Sequence, residues 1–310
     1  MSWKIVGASA QGTTHAANNQ ECQDANAFCS VGSWFVGVVC DGAGTARFAA
    51  IGARHGARTV VERIAAHLAS APLPGSDGPP LAGTDQARIG EALAGGTAPL
   101  VAETNAALID ETGEALRSVV IEAVALARDT VLAPATEEGV TLADFNATLV
   151  GCVGWHGGGL LFHIGDGAAV ALDATSLHVL AISPPENGEF AEQTFFYTGS
   201  EWREHLRFTP VPLGANLIAL MSDGAMTFGI AANRRDVDRR FFGPVTKFLS
   251  RDGVSPQAGS AALLATLSSP GACRVTHDDK TLLWAYWSTG DAPESETVSG
   301  NAEESRRTGE

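Results

Sequence analysis

Three aspartates of this chain share a local pattern. Asp41 closes the apolar run Trp34-Phe35-Val36-Gly37-Val38-Val39 and precedes Gly42, Asp223 follows an apolar run ending at Met221 and precedes Gly224, and Asp279 immediately precedes a final apolar run. Carboxylates delivered by strand ends can converge on one rim. Converged carboxylates repel one another and lose hydration, so they are tolerated only when positive charge sits between them. No basic residue adjoins Asp41 or Asp223, which leaves a cation as the natural partner. All-oxygen ligation suits hard ions such as magnesium and manganese, and the adjacent glycines allow close backbone approach. A single Asp-Gly is first of all a turn dipeptide; the information lies in the ordered set.

The elements that would position these residues are strand-rich. Residues 3–9 and 33–40 read as strands, and the second stops abruptly at Asp41-Gly42-Ala43-Gly44. From 47 to 68, Phe48, Ile51, Val60, Val61, Ile64 and Leu68 recur at helical spacing, and a second long helix is expected over 101–132, before Pro134. Between them, 71–100 is rich in Pro and Gly without a sustained apolar period and is expected to be a mobile surface insertion. Residues 147–155 and 159–172 read as a hairpin, its second arm interrupted by Gly165-Asp166-Gly167. A further strand is expected over 216–221, helices near 237–250 and 257–267, and a closing strand over 280–287. Beyond 288 the chain is polar and acidic, the composition of a disordered tail. No internal repeat is visible, so 1–287 is expected to fold as one α+β domain of antiparallel sheets covered by helices.

Composition narrows the partners. The 310 residues are 45% hydrophobic and 18% charged, which suits a soluble globular protein with a sizeable core. A formal net charge of −15, from 35 acidic and 20 basic residues, repels nucleic acid and anionic membrane surfaces and attracts divalent cations. No stretch approaches ~18 uninterrupted apolar residues and the start lacks a signal-peptide pattern, so a cytoplasmic location is expected. The five cysteines, Cys22, Cys29, Cys40, Cys152 and Cys273, form no CxxC pair, so neither a disulfide framework nor a zinc site is indicated.

Five segments, in order and context, resemble the protein phosphatase 2C family. They are Gln23-Asp24-Ala25, Val39-Cys40-Asp41-Gly42-Ala43-Gly44, Ile164-Gly165-Asp166-Gly167-Ala168, Met221-Ser222-Asp223-Gly224 and Asp278-Asp279-Lys280-Thr281. The family's counterparts of the last four read Asp-Gly-His-Gly-Gly, Gly-Asp-Ser-Arg, Ser-Asp-Gly, and Asp-Asn before an apolar strand. The resemblance implies a four-layer α-β-β-α sandwich and the hydrolysis of phosphoserine or phosphothreonine in proteins, using two Mn2+ or Mg2+ ions. It implies that Asp41 bridges the ions, that the Gly42 carbonyl binds one of them, and that Asp223 and Asp279 complete the other. Asp24 would act through a metal-held water, and Asp166 would support a third, weaker ion. The partners implied are a phosphoprotein substrate and a cognate protein kinase, or that kinase's targets, in bacterial signalling.

The departures from that pattern are specific. Ala43 stands where the family usually has a histidine that protonates the leaving alkoxide, and Gln23 stands where many relatives carry Glu. The phosphate-binding arginine upstream is missing, and Arg47, just past the Asp41 turn, could replace it as a catalytic residue, because a guanidinium suits phosphate oxygens. His15 and His277 lie near proposed site carboxylates and could replace the acid, as could a metal-held water. These departures also fit a catalytically weakened module that binds a phosphoprotein or regulatory partner without turning it over.

Overall fold

The computed structural model describes residues 2–70, 98–133, 135, 137–155, 158–186 and 194–288, with 98–111 as backbone only. The expected tail beyond 288 lies outside the described residues, as does the expected insertion up to residue 97. The strands are β1 Ser2–Ala10, β2 Ala25–Val31, β3 Trp34–Cys40, β4 Leu149–Trp155, β5 Gly158–Ile164, β6 Ala168–Asp173, β7 His178–Ser183, β8 Arg207–Val211, β9 Leu217–Met221 and β10 Lys280–Ser288. The helices are α1 Thr13–Ala17, α2 Ala49–Ser70, α3 Ala98–Thr130, α4 Trp202–His205, α5 Asp223–Gly229, α6 Arg239–Leu249, α7 Pro256–Leu267 and α8 Pro270–Val275.

The strands form two antiparallel sheets, ordered β1-β10-β9-β6-β7 and β2-β3-β4-β5-β8. Their inner faces meet through Ile5, Phe35, Val39, Val150, Leu161, Ile218 and Leu283. On the outer face of the second sheet, Val60 and Ile64 of α2 and Leu116 and Val120 of α3 pack against Val36, Val38 and Phe162. On the outer face of the first, Phe242 and Leu249 of α6 and Leu263 and Leu267 of α7 pack against Val6, Val170 and Trp284. These are the four layers expected, α-β-β-α.

Strand β3 shows why its sequence reads as an unbroken apolar run. Successive side chains alternate faces: Trp34, Val36, Val38 and Cys40 meet the helices, while Phe35 and Val39 meet the opposite sheet. Both faces are covered, so alternation gives no polar residue, and each buried aliphatic or aromatic side chain contributes roughly 1.5–3 kcal/mol.

The expected second hairpin arm, 159–172, is not one interrupted strand. β5 belongs to one sheet and β6 to the other, and Gly165-Asp166-Gly167 is the crossing between them. Gly165 has φ +111°, a region that favours glycine, and a Cβ there would lie 2.7 Å from Thr148 Cγ2. A Cβ on Gly167 would lie 2.5 Å from the Met221 carbonyl oxygen. The crossing is as tight as it is because neither residue has a side chain.

Candidate active site

Strand register gathers the acidic turns at one end of the sandwich. Ala25 pairs with Cys40, Val39 with Val150, and Leu149 with Ile164; across the crossing, Ala168 pairs with Met221, and Met221 with Leu282. The residues just beyond these pairs are therefore neighbours: Asp24 before β2, Asp41 after β3, Asp166 in the crossing, Asp223 after β9, and Asp278 and Asp279 before β10. A cleft of about 470 Å³ opens there, lined by Asp41, Asp166, Asp223 and Asp278 together with His15, Gly42, Ala43 and Thr148.

Each carboxylate is held by its surroundings. The Asp41 N–H donates to Thr148 Oγ1 at 3.1 Å, and the Thr148 N–H donates to the Asp41 carbonyl at 2.8 Å. A Cβ on Gly42 would lie 2.8 Å from the Ala49 carbonyl oxygen, so the first residue of α2 seats directly behind the acidic turn. Ser222, the N-cap of α5, donates its hydroxyl to Asp24 Oδ2 at 2.7 Å and accepts the Thr281 N–H at 2.9 Å, coupling three strand ends. Asp166 accepts a hydrogen bond of 2.7 Å from Thr194 Oγ1. Behind Asp278, the wholly buried Lys280 donates from Nζ to the Asp278 carbonyl at 2.7 Å.

The electrostatics are those of crowded acids. Burial, reinforced by the charges of Asp24 and Asp223, raises the Asp41 carboxyl well above the ordinary range. Burial pushes Asp24 up to about 7 against the opposing hydrogen bonds from Ser222 and Thr281, and pushes Asp223 up to about 6. The charge of Asp223 adds to burial in raising Asp41, as expected of carboxyls crowded at one rim. Asp24 Oδ1, Asp223 Oδ1 and Gln23 Oε1 are buried without a hydrogen-bond partner. All three are acceptors, and an unsatisfied buried acceptor costs about 1–3 kcal/mol.

Among the described residues, no three His, Cys, Asp or Glu side chains are grouped so as to hold a metal ion. The donor set nonetheless fits hard divalent cations. It consists wholly of oxygens, includes buried acceptors that lack donors, and opens to a cleft where water can complete the coordination that magnesium characteristically keeps.

Asp41, Gly42, Asp166 and Asp223, all named from the sequence, meet in the cleft lining. Asp24, 5% exposed, lies behind it. Asp279 is not in the lining: it is 2% exposed, its Oδ1 accepts the Gly12 N–H at 2.5 Å, and its Oδ2 accepts the Gln23 N–H at 2.6 Å and His15 Nδ1 at 2.9 Å. Asp278 lines the cleft instead. Matching Asp278-Asp279 to the family's Asp-Asn places the acid on Asp278, which is the signal the sequence held for it. Arg47 points elsewhere, paired with Glu137 and stacked over Phe48 at 4.9 Å. His277 is exposed against Thr13 Oγ1 at 2.8 Å, whereas His15 stands in the cleft wall. Nothing in the residue pattern pointed to Thr148 or Thr194.

The chain belongs to the protein phosphatase 2C family, whose model matches residues 11–268. It is similar to serine/threonine-protein phosphatase 3 of Escherichia coli K12, at 29% identity over 161 residues, which are 52% of this chain and 63% of that relative. The chain therefore spans less than two thirds of the length of the curated relative it matches. Among solved structures it resembles PppA, a key regulatory component of T6SS in Pseudomonas aeruginosa, with TM-score 0.55, 15% identity and coverage of 92% of this chain and 98% of that one. It also resembles the S. agalactiae serine/threonine phosphatase, with TM-score 0.52, 11% identity and coverage of 92% and 99%. At these identities the likenesses show the fold, two facing antiparallel sheets flanked by helices.

Proposed function

We propose that this protein hydrolyses phosphoserine and phosphothreonine in proteins, with two Mn2+ or Mg2+ ions held at the acidic rim. The observation that carries the reading is the meeting of Asp41, Asp166, Asp223 and Asp278 in one cleft beside buried, unpartnered carboxylate oxygens. Asp41 would be shared by both ions, with the Gly42 carbonyl on one side and Asp223 and Asp278 on the other, Asp278 taking the place first given to Asp279. Asp24 would act from behind through water, and Asp166, steadied by Thr194, would hold a third and weaker ion. When bound, the ions would lower the pKa of an attacking water and offset charge on the phosphoryl oxygens. The chain's own part is to fix these carboxylates from both sheets, so that little reorganises during reaction.

The substrates would be phosphoproteins, with a cognate protein kinase or that kinase's targets as partners. The net charge of −15 disfavours nucleic acid. No helix of the described residues is long and apolar enough to cross a membrane. All five cysteines are free thiols, and with them we place the protein in the cytoplasm. Phosphate release from a phosphothreonine peptide with manganese, abolished in Asp41→Asn and Asp223→Asn, tests the reading; release that is absent in wild type, or unchanged in both variants, refutes it.

A second reading is favoured by Ala43 and by the absence of Arg47 from the cleft lining. It is a weakened phosphatase-like module that holds a phosphoprotein without turnover. Such a module would keep its partner affinity in Asp41→Asn, and the enzyme reading predicts that it would not.

A further inference from the structure

The cleft wall holds a histidine, His15, where the Asp41 turn carries Ala43. Ala43 lines the cleft but carries no acidic proton, and Arg47 is occupied by Glu137. Among the side chains lining the cleft, His15 alone carries an ionisable N–H. Its imidazole is not a loose surface ring: it is 15% exposed and its Nδ1 lies 2.9 Å from Asp279 Oδ2. Both Asp279 oxygens already act as acceptors, from the Gly12 and Gln23 N–H groups, so Nδ1 is assigned as donor and Nε2 is the nitrogen left for the cleft. Asp279 is itself locked by the Gly12 and Gln23 N–H groups, at 2.5 and 2.6 Å. A buried carboxylate that steadies one nitrogen of a histidine while leaving the other free is a recurring way of positioning a general acid or base.

We propose that His15, positioned by Asp279, is the catalytic residue that protonates the departing serine or threonine oxygen; this rests on the phosphatase reading above. Water attacks phosphorus and a new P–O bond forms. The bond from phosphorus to the seryl or threonyl oxygen breaks, and its electron pair stays on that oxygen. The proton on Nε2 of the imidazolium transfers there to give the free hydroxyl. The proton shed by the attacking water restores the imidazolium through solvent.

The test uses leaving groups of different need. A threonine alkoxide must be protonated as it departs, whereas p-nitrophenolate leaves as a stable anion. His15→Ala and His15→Asn would be assayed on a phosphothreonine peptide and on p-nitrophenyl phosphate. Asn keeps an N–H where Nδ1 stood, so Asp279 retains its partner; thermal melting checks that both variants fold. The expected result is a fall in kcat on the peptide of roughly 100-fold or more, with p-nitrophenyl phosphate turnover within about threefold of wild type. Equal losses on the two substrates, or no loss on the peptide, overturn the proposal while the phosphatase reading stands. A wild-type protein inactive on both substrates overturns the two together.

Discussion

Asp278 and Asp279 are joined by a 2.8 Å hydrogen bond from the Asp279 N–H to the Asp278 carboxylate, and they serve opposite sides of one turn. Asp278 is exposed and lines the cleft, while Asp279 is buried and spent on Gly12, Gln23 and His15. Asp278→Asn, which keeps an oxygen to accept the Asp279 N–H, should weaken Mn2+ binding, measured by calorimetry, at least about tenfold and leave urea stability without metal close to wild type. Asp279→Ala should do the reverse in stability, costing at least about 2 kcal/mol because buried N–H donors lose their acceptor. Equal effects of the two substitutions on both measurements would contradict this division.

The metal-free protein should lose stability as pH rises from about 4 to about 7. Asp24 and Asp223 titrate at about 7 and about 6 in the folded state, above the ordinary 3.8, because burial disfavours their charged forms. Between the unfolded and folded values the native state binds more protons than the unfolded one, so unfolding free energy declines with pH. Their stabilising effect is complete below the unfolded value and is lost as pH passes the folded one. Divalent cation at neutral pH should restore the melting temperature. A melting temperature that rises over this interval without metal would exclude the account.

Arg47→Ala should leave kcat and KM within about twofold of wild type. The guanidinium pairs with an exposed glutamate, lies over Phe48 and does not line the cleft. A KM rise of tenfold on a phosphopeptide would return Arg47 to phosphate binding.

Two glycines of the same rim should respond differently to a methyl group. At Gly167 a Cβ would meet the Met221 carbonyl at 2.5 Å, and that backbone belongs to a buried strand, so Gly167→Ala should cost about 1–3 kcal/mol. At Gly44 nothing lies within 4 Å, and Gly44→Ala should be close to neutral. Urea denaturation of the pair checks the contrast, and equal stabilities would refute it.

The parts of this fold that could be read from the sequence are those with an unbroken apolar run or a sustained apolar period. β3, β4, β9 and β10 carry continuous apolar runs, and α2 and α3 carry apolar residues at helical spacing. The strands that escaped, β2, β7 and β8, all lie at sheet edges, where one-sided burial dilutes the apolar signal and β8 even tolerates Pro210. The change of sheet at Asp166 was hidden because glycines marking a crossing look like glycines marking a bulge. At the site, Asp41 and Asp223 were legible because each ends a core strand. Asp278 and Asp279 were not separable by residue type, since what divides them is which backbone N–H groups their neighbours present. His15 was visible only as a histidine near acids; its value depends on Asp279, 264 positions away in the chain.

Asp24 and Asp41 are anchored to one sheet, Asp223 and Asp278 to the other, and Asp166 to the link that passes between them. An ion seated among them would act as a clasp across the seam of the sandwich. Affinity for that ion then reports how well the two halves are docked, so a substitution deep in their shared interior, such as at Phe35 or Leu283, would loosen the grip on metal without touching a single ligand. Chelation would in turn free the halves to shift against each other at this end, so that the edge where the carboxylates gather would also be an adjustable one.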